Sequence, residues 1–314
     1  MTRMISARVF SAHGRSVWVH SDREEPMVCQ LSGRALSPIA NDQVLLDFSV
    51  QPPVIREVQP RTNVFRRQEG SRTKILAANI DLALVLVSGH PGFSPELAVR
   101  VVASLLAESI PFVIVKNKWD LESARPLTEA LLRQVQPCMS LPAWPTVMTS
   151  CKRDDGLDGL KSLLTQLGRP GLCVALAGQS GMGKSSLLNR LAPHAHAQTQ
   201  TISEALQTGK HTTTVSRAYS WIQPSGQPGF LIDTPGFQQF GLSHLSRSEH
   251  ALAFPEWAHL NSGQPCRFHN CRHDQEPGCS VLSAISRAQE AGDRELQVTL
   301  EARRKLWLAL EAGS

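Results

Sequence analysis

Residues 178–185 constrain the fold of this chain more than any other segment. They read Gly-Gln-Ser-Gly-Met-Gly-Lys-Ser, which matches the pattern G-x-x-x-x-G-K-[S/T]. An apolar run at residues 172–177 precedes them, and a helical pattern over Lys184–Leu191 follows. Between a strand and a helix, such a loop wraps phosphate groups with backbone N–H groups, and its lysine neutralises phosphate oxygens. A glycine-rich turn is the alternative, but the flanking elements favour a nucleotide site in an α/β domain.

A second motif, Asn117-Lys118-Trp119-Asp120, closes the apolar strand predicted at residues 112–115. In a P-loop protein the aspartate can accept hydrogen bonds from N1–H and the 2-amino group of guanine, and the asparagine can bond N7. Adenine offers no such pair of donors, so a carboxylate at this place selects guanine. The tetrad is short enough to occur by chance, and its weight comes from the neighbouring P-loop.

Residues 233–236, Asp-Thr-Pro-Gly, follow the apolar strand predicted at residues 230–232. We expect Asp233 to hold Mg²⁺ through water and the Gly236 N–H to contact the γ-phosphate. Ser150 lies at the end of another predicted strand, where a backbone N–H could reach the guanine carbonyl, although a plain turn fits equally well. The predicted GTP-binding residues are Asn117, Lys118, Trp119, Asp120, Ser150, Gly178, Gln179, Ser180, Gly181, Met182, Gly183, Lys184, Ser185, Ser186, Asp233 and Gly236.

The segment Gly-Lys-His-Thr-Thr-Thr at residues 209–214 lies between the P-loop and the D-x-x-G motif. It predicts Thr213 as a magnesium ligand beside Ser185, although such a threonine run also occurs in ordinary loops and strands. Phe237 stands where many GTPases place a glutamine that orients water, and a phenyl ring cannot do this. We therefore predict His211 as the catalytic residue, because imidazole can accept a proton or position water. The alternative is that His211 is a solvated loop residue.

The remaining pattern divides the chain into modules. Residues 4–50 contain four short strand patterns with turn signals between them, which predicts a small OB-like β-barrel. Residues 51–70 are rich in Pro, Arg and polar side chains and are interpreted as a linker. From residue 75 onward strands alternate with helices, which is typical of a mostly parallel sheet covered on both faces. A helix is predicted at residues 290–310, close to the end of the chain.

The order of the nucleotide motifs is unusual. A usual GTPase begins with its P-loop and ends with N-K-x-D and a serine turn, whereas here N-K-x-D and Ser150 come first and D-x-x-G comes last. The predicted strands and helices are rotated in the same way, so the domain is predicted to be circularly permuted. At this point the chain resembles the RsgA (YjeQ) family of small-ribosomal-subunit-dependent GTPases. The resemblance also rests on Val28-Cys29, Gly33-Arg34, Pro60-Arg61-Thr62-Asn63, Leu76-Ala77-Ala78-Asn79-Ile80-Asp81 and Phe254-Pro255-Glu256.

Three cysteines and a histidine crowd into one short stretch, with the spacing Cys266-x4-Cys271-x-His273-x5-Cys279. Three thiolates and an imidazole form a closed tetrahedral set for Zn²⁺, and a closed set is structural rather than catalytic. The spacing is also what the resemblance implies. We predict one structural zinc ion per chain, with His269 as the alternative fourth ligand.

We therefore predict three domains: an OB-like, RNA-binding barrel with its linker at residues 1–70, a circularly permuted α/β P-loop GTPase domain at 71–245, and a mainly helical zinc-binding module at 246–314. The resemblance implies late maturation of the small ribosomal subunit, GTP hydrolysis to GDP and phosphate stimulated by that subunit, and rRNA binding. Magnesium is expected with GTP. A slow GTP-binding adaptor for another RNA or protein is the alternative function. A small-molecule kinase is disfavoured by Asp120.

Composition limits the remaining choices. The longest apolar runs have about six residues against the roughly 18 of a membrane helix, and the first thirty residues hold no apolar secretory segment. An odd number of cysteines argues against a disulfide framework. We therefore predict a cytoplasmic, monomeric protein without a membrane partner. Residues 1–75 hold eleven Lys and Arg against seven Asp and Glu, which is compatible with a polyanionic partner.

Overall fold

The computed structural model describes residues 4–14, 16–20, 26–195 and 215–312, and it begins with a closed five-stranded barrel. The barrel has the strand order β1-β2-β3-β5-β4. Its strands are β1 (Met4–His13), β2 (Ser16–His20), β3 (Met27–Leu31), β4 (Gln43–Asp47) and β5 (Val54–Val58). Alternate apolar side chains fill its interior, since successive residues of a strand face opposite sides. The predicted N-terminal barrel is thus confirmed.

The segment interpreted as a linker, residues 51–70, is instead mostly strand. It contains β5, which closes the barrel, and β6 (Val64–Glu69), which pairs with β7 (Arg72–Ala78) as an antiparallel hairpin. This hairpin spans residue 70, the predicted end of the first domain. The interpretation failed because the strands are rich in charged and polar residues, several of them exposed, which hides the apolar alternation.

The junction between barrel and sheet uses the two polar motifs noted around residues 60–63 and 76–81. Arg61 forms a bidentate ion pair with the buried Asp42 of the barrel, with both N···O distances 2.8 Å. The Asn63 amide donates to the Ile80 carbonyl and accepts from the Ile80 N–H, both at 2.9 Å. These residues therefore fix the path of the chain from the barrel into the sheet.

The central domain is a six-stranded sheet of order β10-β9-β8-β11-β13-β12. Its strands are β8 (Leu82–Val87), β9 (Phe112–Lys116), β10 (Thr146–Met148), β11 (Leu172–Gly178), β12 (Arg217–Ile222) and β13 (Pro228–Asp233). All neighbours pair in parallel except β12, which runs antiparallel at one edge. Every residue of β8 and β11 is buried, as expected for central parallel strands covered on both faces.

The helices α1 (Pro95–Ala107), α2 (Arg125–Val135), α3 (Asp158–Gln166) and α4 (Lys184–Leu191) accompany these strands, with a short 3-10 turn at Glu122–Ala124. Because β8, β9, β10, β11 and β13 are parallel, the loops after them meet at one edge of the sheet. We call this the carboxyl edge. It brings together motifs that lie far apart in the sequence.

The C-terminal module is helical, with α5 (Arg247–Ala251), α6 (Pro255–Gly263), α7 (Ser280–Glu290) and α8 (Arg294–Ala312). The closing helix predicted at residues 290–310 corresponds to α8, which begins at Arg294 and is separated by a break from α7. Gly292 adopts a left-handed φ of 72° at this break, which an L side chain adopts rarely. Within the described ranges, no helix is both long and apolar enough to cross a membrane.

Candidate nucleotide site and metal centre

The P-loop follows β11 and continues directly into α4. Gly181 and Gly183 have φ values of 83° and 95°, and a Cβ at Gly183 would lie 2.3 Å from the Asn117 amide nitrogen. Only glycine therefore fits the turn. The Lys184 ammonium is buried and donates to the carbonyls of Gly178 and Gln179 at 2.9 and 3.2 Å. Burial lowers the pKa of Lys184, and the charge of Asp233 opposes that shift. Ser185 and Ser186 follow in the first turn of α4.

The first half of the N-K-x-D tetrad braces the P-loop. The Asn117 amide donates to the Met182 carbonyl at 2.8 Å and accepts from the Thr149 hydroxyl at 3.0 Å. The Lys118 ammonium donates to Gly181 O, and also to His90 O after β8, both at 2.8 Å. Two side chains after β9 thus connect loops that follow three other strands.

The second half of the tetrad has a different setting. The Ser150 hydroxyl donates to Asp120 Oδ1 at 2.6 Å, which orients the half-buried carboxylate. The Trp119 ring packs beneath two cations, with the Lys116 ammonium 4.9 Å and the Arg125 guanidinium 5.4 Å from its centroid. Asp120 is therefore placed to offer a fixed acceptor, while Trp119 stabilises the surrounding loop.

The turn after β10 refines one expectation. The Ser150 N–H donates to Gly156 O at 2.8 Å and is already committed. Within the described part of the chain, the next amide, that of Cys151, makes no hydrogen bond. The approach of Gly156 is close, since a Cβ there would lie 2.2 Å from Ser150 O. The N–H available to a ligand in this turn therefore belongs to Cys151.

The D-x-x-G segment lies against the P-loop. Asp233 is buried at the end of β13, and a Cβ at Gly236 would lie 3.0 Å from Ser180 Cα. The Phe237 N–H donates to Gly178 O at 3.3 Å, and the Ser180 N–H donates to Phe237 O at 3.2 Å. The predicted site residues from four loops of the carboxyl edge are thus brought together.

Sequence reasoning missed a further link at this edge. The Gln179 side-chain carbonyl accepts a 2.9 Å hydrogen bond from the Ser94 N–H at the start of α1. Ser94 also caps that helix, and Ser followed by Pro95 is a readable start signal for a helix. The two residues predicted on the remaining loop, His211 and Thr213, lie outside the described residues.

The three cysteines and the histidine converge as a group that could hold a metal ion. The ligand atoms of Cys266, Cys271, His273 and Cys279 all lie within 4.8 Å of one another. His273 Nδ1 is 3.7, 3.6 and 3.4 Å from the sulfurs of Cys266, Cys271 and Cys279. Tetrahedral bonds of ~2.3 Å to sulfur and ~2.0–2.1 Å to nitrogen require S···N edges of about 3.6 Å, so the group fits. His269 is exposed and not part of the group.

The surroundings of this group, the Cys–His knuckle, hold its histidine in place. The Trp257 and Trp307 rings flank the His273 ring at centroid distances of 5.8 and 5.7 Å. The Arg304 guanidinium donates to His273 O at 2.6 Å, and Trp307 Nε1 donates to Arg272 O at 2.9 Å. Helix α8 therefore supplies an outer shell that orients a ligand.

The same helix attaches the knuckle to the sheet domain through Arg303, which is fully buried. Its guanidinium donates to Val135 O at the end of α2 at 2.6 Å and to Ala253 O at 2.5 Å. It also forms an ion pair with the fully buried Glu256 and lies 4.4 Å from the Phe254 ring centroid. One side chain thus joins the two regions.

A parallel sheet with a P-loop after β11, N-K-x-D after β9 and D-x-x-G after β13 defines a P-loop nucleotide-binding protein whose motifs occur in circularly permuted order. A family model described as RsgA GTPase matches residues 58–243, more than half of the chain. The chain belongs to the RsgA GTPase family. The predicted family, fold class and GTPase activity are therefore confirmed.

Individual relatives agree with this assignment. The protein named Small ribosomal subunit biogenesis GTPase RsgA of Bordetella pertussis is 39% identical over 287 residues, which cover 90% of each chain. A protein of the same name from Burkholderia mallei is 38% identical over 291 residues, covering 91% of this chain and 88% of the relative.

Solved structures resemble the whole chain. YjeQ from Thermotoga maritima superposes with a TM-score of 0.64 at 25% identity, covering 98% of this chain and 99% of the other. YloQ, a circularly permuted GTPase, gives a TM-score of 0.60 at 21% identity with 99% and 96% coverage, which shows the shared fold.

Proposed function

We propose that this protein is a ribosome-associated GTPase that acts late in maturation of the small ribosomal subunit and binds its rRNA. The names of its relatives support this subunit as the partner. The observation that carries the nucleotide assignment is the 2.8 Å bond from Asn117 to Met182 O, because it joins the guanine-type tetrad to the P-loop in one site. We infer a cytoplasmic monomer.

The nucleotide-binding roles follow the geometry of the carboxyl edge. P-loop N–H groups and the Lys184 ammonium would hold the phosphates, and the Gly236 N–H would meet the γ-phosphate. Asp120, oriented by Ser150, would accept from guanine N1–H and the 2-amino group, and the Cys151 N–H would donate to the guanine carbonyl. Asn117 and Lys118 would preserve the shape of the pocket through their bonds to the P-loop.

Magnesium would be held by Ser185 and Thr213, with Asp233 contributing through water. When bound, it neutralises charge on the phosphates. The donor set fits, because Ser185 stands in the first turn of α4 and the buried Asp233 carboxylate is close enough to Lys184 to affect its pKa.

Catalysis needs a group other than Phe237. Its ring is fully buried and packs against Phe65 and Phe240, so it does not hold water by hydrogen bonding. We propose His211 as the residue that positions the attacking water or accepts its proton. Because phosphoryl transfer depends mainly on positioning, catalytic groups that are placed correctly only on the ribosome would leave the free enzyme slow.

The C-terminal module would bind one structural zinc ion per chain through Cys266, Cys271, His273 and Cys279. All four positions of the tetrahedron are protein ligands, which leaves none for substrate. The proposed domains are 1–70, 71–245 and 246–314, and the hairpin β6–β7 crosses the first of these boundaries. The barrel and the zinc module would both contact rRNA.

The test is GTP turnover by the full chain with and without purified small subunits. We expect slow intrinsic hydrolysis and strong stimulation by the subunits. The stimulation should be lost in His211→Ala, with nucleotide affinity nearly intact. If the subunits do not stimulate GTP turnover, the proposed function is contradicted and the protein is an adaptor that only binds GTP. If His211→Ala is fully stimulated by the subunits, His211 has no catalytic role, but the GTPase assignment is unaffected.

A further inference from the structure

The hairpin β6–β7 touches the segment that follows the D-x-x-G motif. Phe65 of β6 is fully buried, and its ring lies 6.0 Å from Phe237 and 5.7 Å from Phe240 between centroids. Phe237 and Phe240 also meet each other edge to face at 4.9 Å. Three aromatic rings, one from the hairpin and two from the segment, therefore form one packed cluster. Such pairs are favourable beyond their buried area.

Backbone bonds join the same two partners. The Gln68 N–H donates to Gly241 O at 2.9 Å, and the Gly241 N–H donates to Gln68 O at 3.2 Å. The Arg67 guanidinium lies 5.5 Å from the Phe237 ring centroid and donates to Gln239 O at 3.3 Å. The contact thus comprises a two-bond antiparallel bridge, a cation above a ring and an aromatic cluster.

The hairpin is itself anchored to α1. The Ser104 hydroxyl donates to Arg66 O at 2.9 Å, Glu108 accepts from the Val64 N–H at 3.3 Å, and Glu108 forms an ion pair with Arg66. Val64 and Arg66 lie on β6, Ser104 lies on α1, and Glu108 immediately follows that helix. The strand that touches the D-x-x-G segment is therefore fixed to a helix of the GTPase domain and is not a free linker.

The other side of the segment reaches the nucleotide loop. Phe237 is bonded through its backbone to Gly178 and Ser180, while its ring enters the aromatic cluster. Phe237 is therefore held from both sides, by the P-loop through its main chain and by the hairpin through its side chain. The position of the Gly236 N–H is therefore also fixed, because Gly236 immediately precedes Phe237.

We propose that the hairpin β6–β7 positions the D-x-x-G segment for GTP hydrolysis, with Phe65 and Arg67 as positioning residues. The inference rests on the proposed GTPase function. Phosphoryl transfer is governed by placement of groups around the γ-phosphate, so a small displacement of Gly236 affects hydrolysis more than binding. Nucleotide affinity depends mainly on the P-loop and Asp120, whereas the hairpin contacts described above reach the D-x-x-G segment and α1.

Gly241→Ala tests this with one methyl group. A Cβ at Gly241 would lie 2.8 Å from Gln68 Cβ and 3.0 Å from Gln68 O, so the methyl forces the bridge apart. Gly263→Ala is the matched control, because nothing lies within 4 Å of its added Cβ. We expect Gly241→Ala to lower single-turnover hydrolysis at saturating GTP by about tenfold to a hundredfold, with GTP and GDP affinities close to those of the control.

Phe65→Leu provides a second variant, since it removes the ring contacts while keeping the site apolar. It decides the question if Gly241→Ala fails to bind nucleotide. We expect reduced hydrolysis with retained nucleotide affinity, because the substitution acts on the placement of Phe237 and not on the P-loop. Hydrolysis by folded Gly241→Ala or Phe65→Leu equal to that of Gly263→Ala would overturn the positioning role. If the wild type itself fails to hydrolyse GTP, both this inference and the proposed function are wrong.

Discussion

At the carboxyl edge, the side chains proposed to bind GTP come from loops far apart in sequence, and the bond from Asn117 to Met182 spans 65 residues. In the Cys–His knuckle, four ligands come from residues 266–279 and face one another. The edge is shaped by sheet topology and by side chains bonded to backbone carbonyls. The knuckle also receives such bonds, from Arg304 and Trp307 of α8, but its four potential ligand atoms converge on one point. We therefore expect the carboxyl edge to keep its fold when one side chain is removed. Removal of one ligand from the knuckle should abolish metal binding and unfold the knuckle.

The largest effect is expected from Cys271→Ala. Metal binding in small closed sites contributes on the order of 10 kcal/mol to folding, so loss of one ligand should release the zinc and destabilise residues 246–314. GTP binding at the carboxyl edge should survive. Metal analysis, limited proteolysis and GTP titration measure the three outcomes. Cys29→Ala, in the barrel interior, is the control and should keep its metal. One equivalent of zinc retained in Cys271→Ala would contradict the ligand assignment.

The next largest effect is expected from removing Arg303, which connects the C-terminal module to the end of α2. Arg303→Met should lower the free energy of unfolding by about 3–5 kcal/mol, because it leaves the Glu256 carboxylate buried without its cation. Denaturant unfolding measures this, with Arg294→Met at the exposed start of α8 as the control. Adding Glu256→Gln to Arg303→Met should recover part of the loss. If the single and double variants are equally stable, the loss does not come from the unpaired Glu256 carboxylate.

Asp120→Asn should change which base is bound and should leave the fold of both regions intact. The asparagine keeps an oxygen that can accept from Ser150, while its amide suits the 2-oxo edge of xanthine. We expect GTP affinity to fall by about a hundredfold or more and xanthosine triphosphate affinity to rise. Competitive titration measures both, and Asp154→Asn, on the exposed loop nearby, should leave them unchanged. Equal affinity of the wild type for ATP and GTP would refute guanine selection.

The smallest effect concerns pH. Because burial lowers the pKa of Lys184 below its ordinary 10.5, the ammonium loses its proton at a lower pH than an exposed lysine does. Phosphates bind the protonated form, so GTP affinity should fall as pH rises towards that lowered pKa. We expect the ratio of GTP to guanosine affinity to fall as the pH is raised from 7.5 towards 10.5, the ordinary pKa of lysine. Guanosine shares the ionising base but has no phosphate, so a ratio that stays constant would exclude Lys184. Metal should stay in the knuckle over this range, since its thiol ligands bind deprotonated.

The sequence predicted best where chemistry demands particular residues at fixed spacing. The P-loop, the tetrad and the Cys–His ligands were recognised, and the structure brings the members of each set together. Their roles as ligands stay predictions. The uniformly apolar strands β8 and β11 were also recognised, because burial on both faces leaves a continuous signal.

The sequence did not predict strands that become buried only through contact with distant parts of the chain. Strands β6 and β7 expose several of their charged residues, and residues 51–70 are rich in Pro, Arg and polar side chains. Their strand character depends on pairing with each other and on the contact with Gly241. The helix predicted to begin at residue 290 begins at Arg294, because the chain breaks at the left-handed Gly292 after α7 ends.

The sequence by itself determined which groups this protein can offer: a P-loop, a carboxylate that we propose selects guanine, and four side chains that could hold a metal ion. It also determined the permuted order of the motifs, because order is a property of the chain. Only the tertiary structure decided that the Ser150 N–H donates to Gly156 O and that Arg303 joins two modules. It also decided that the segment interpreted as a linker contacts the D-x-x-G segment. These are contacts between residues distant in the chain, and their free energy depends on which surfaces the folded sheet brings within a few ångströms.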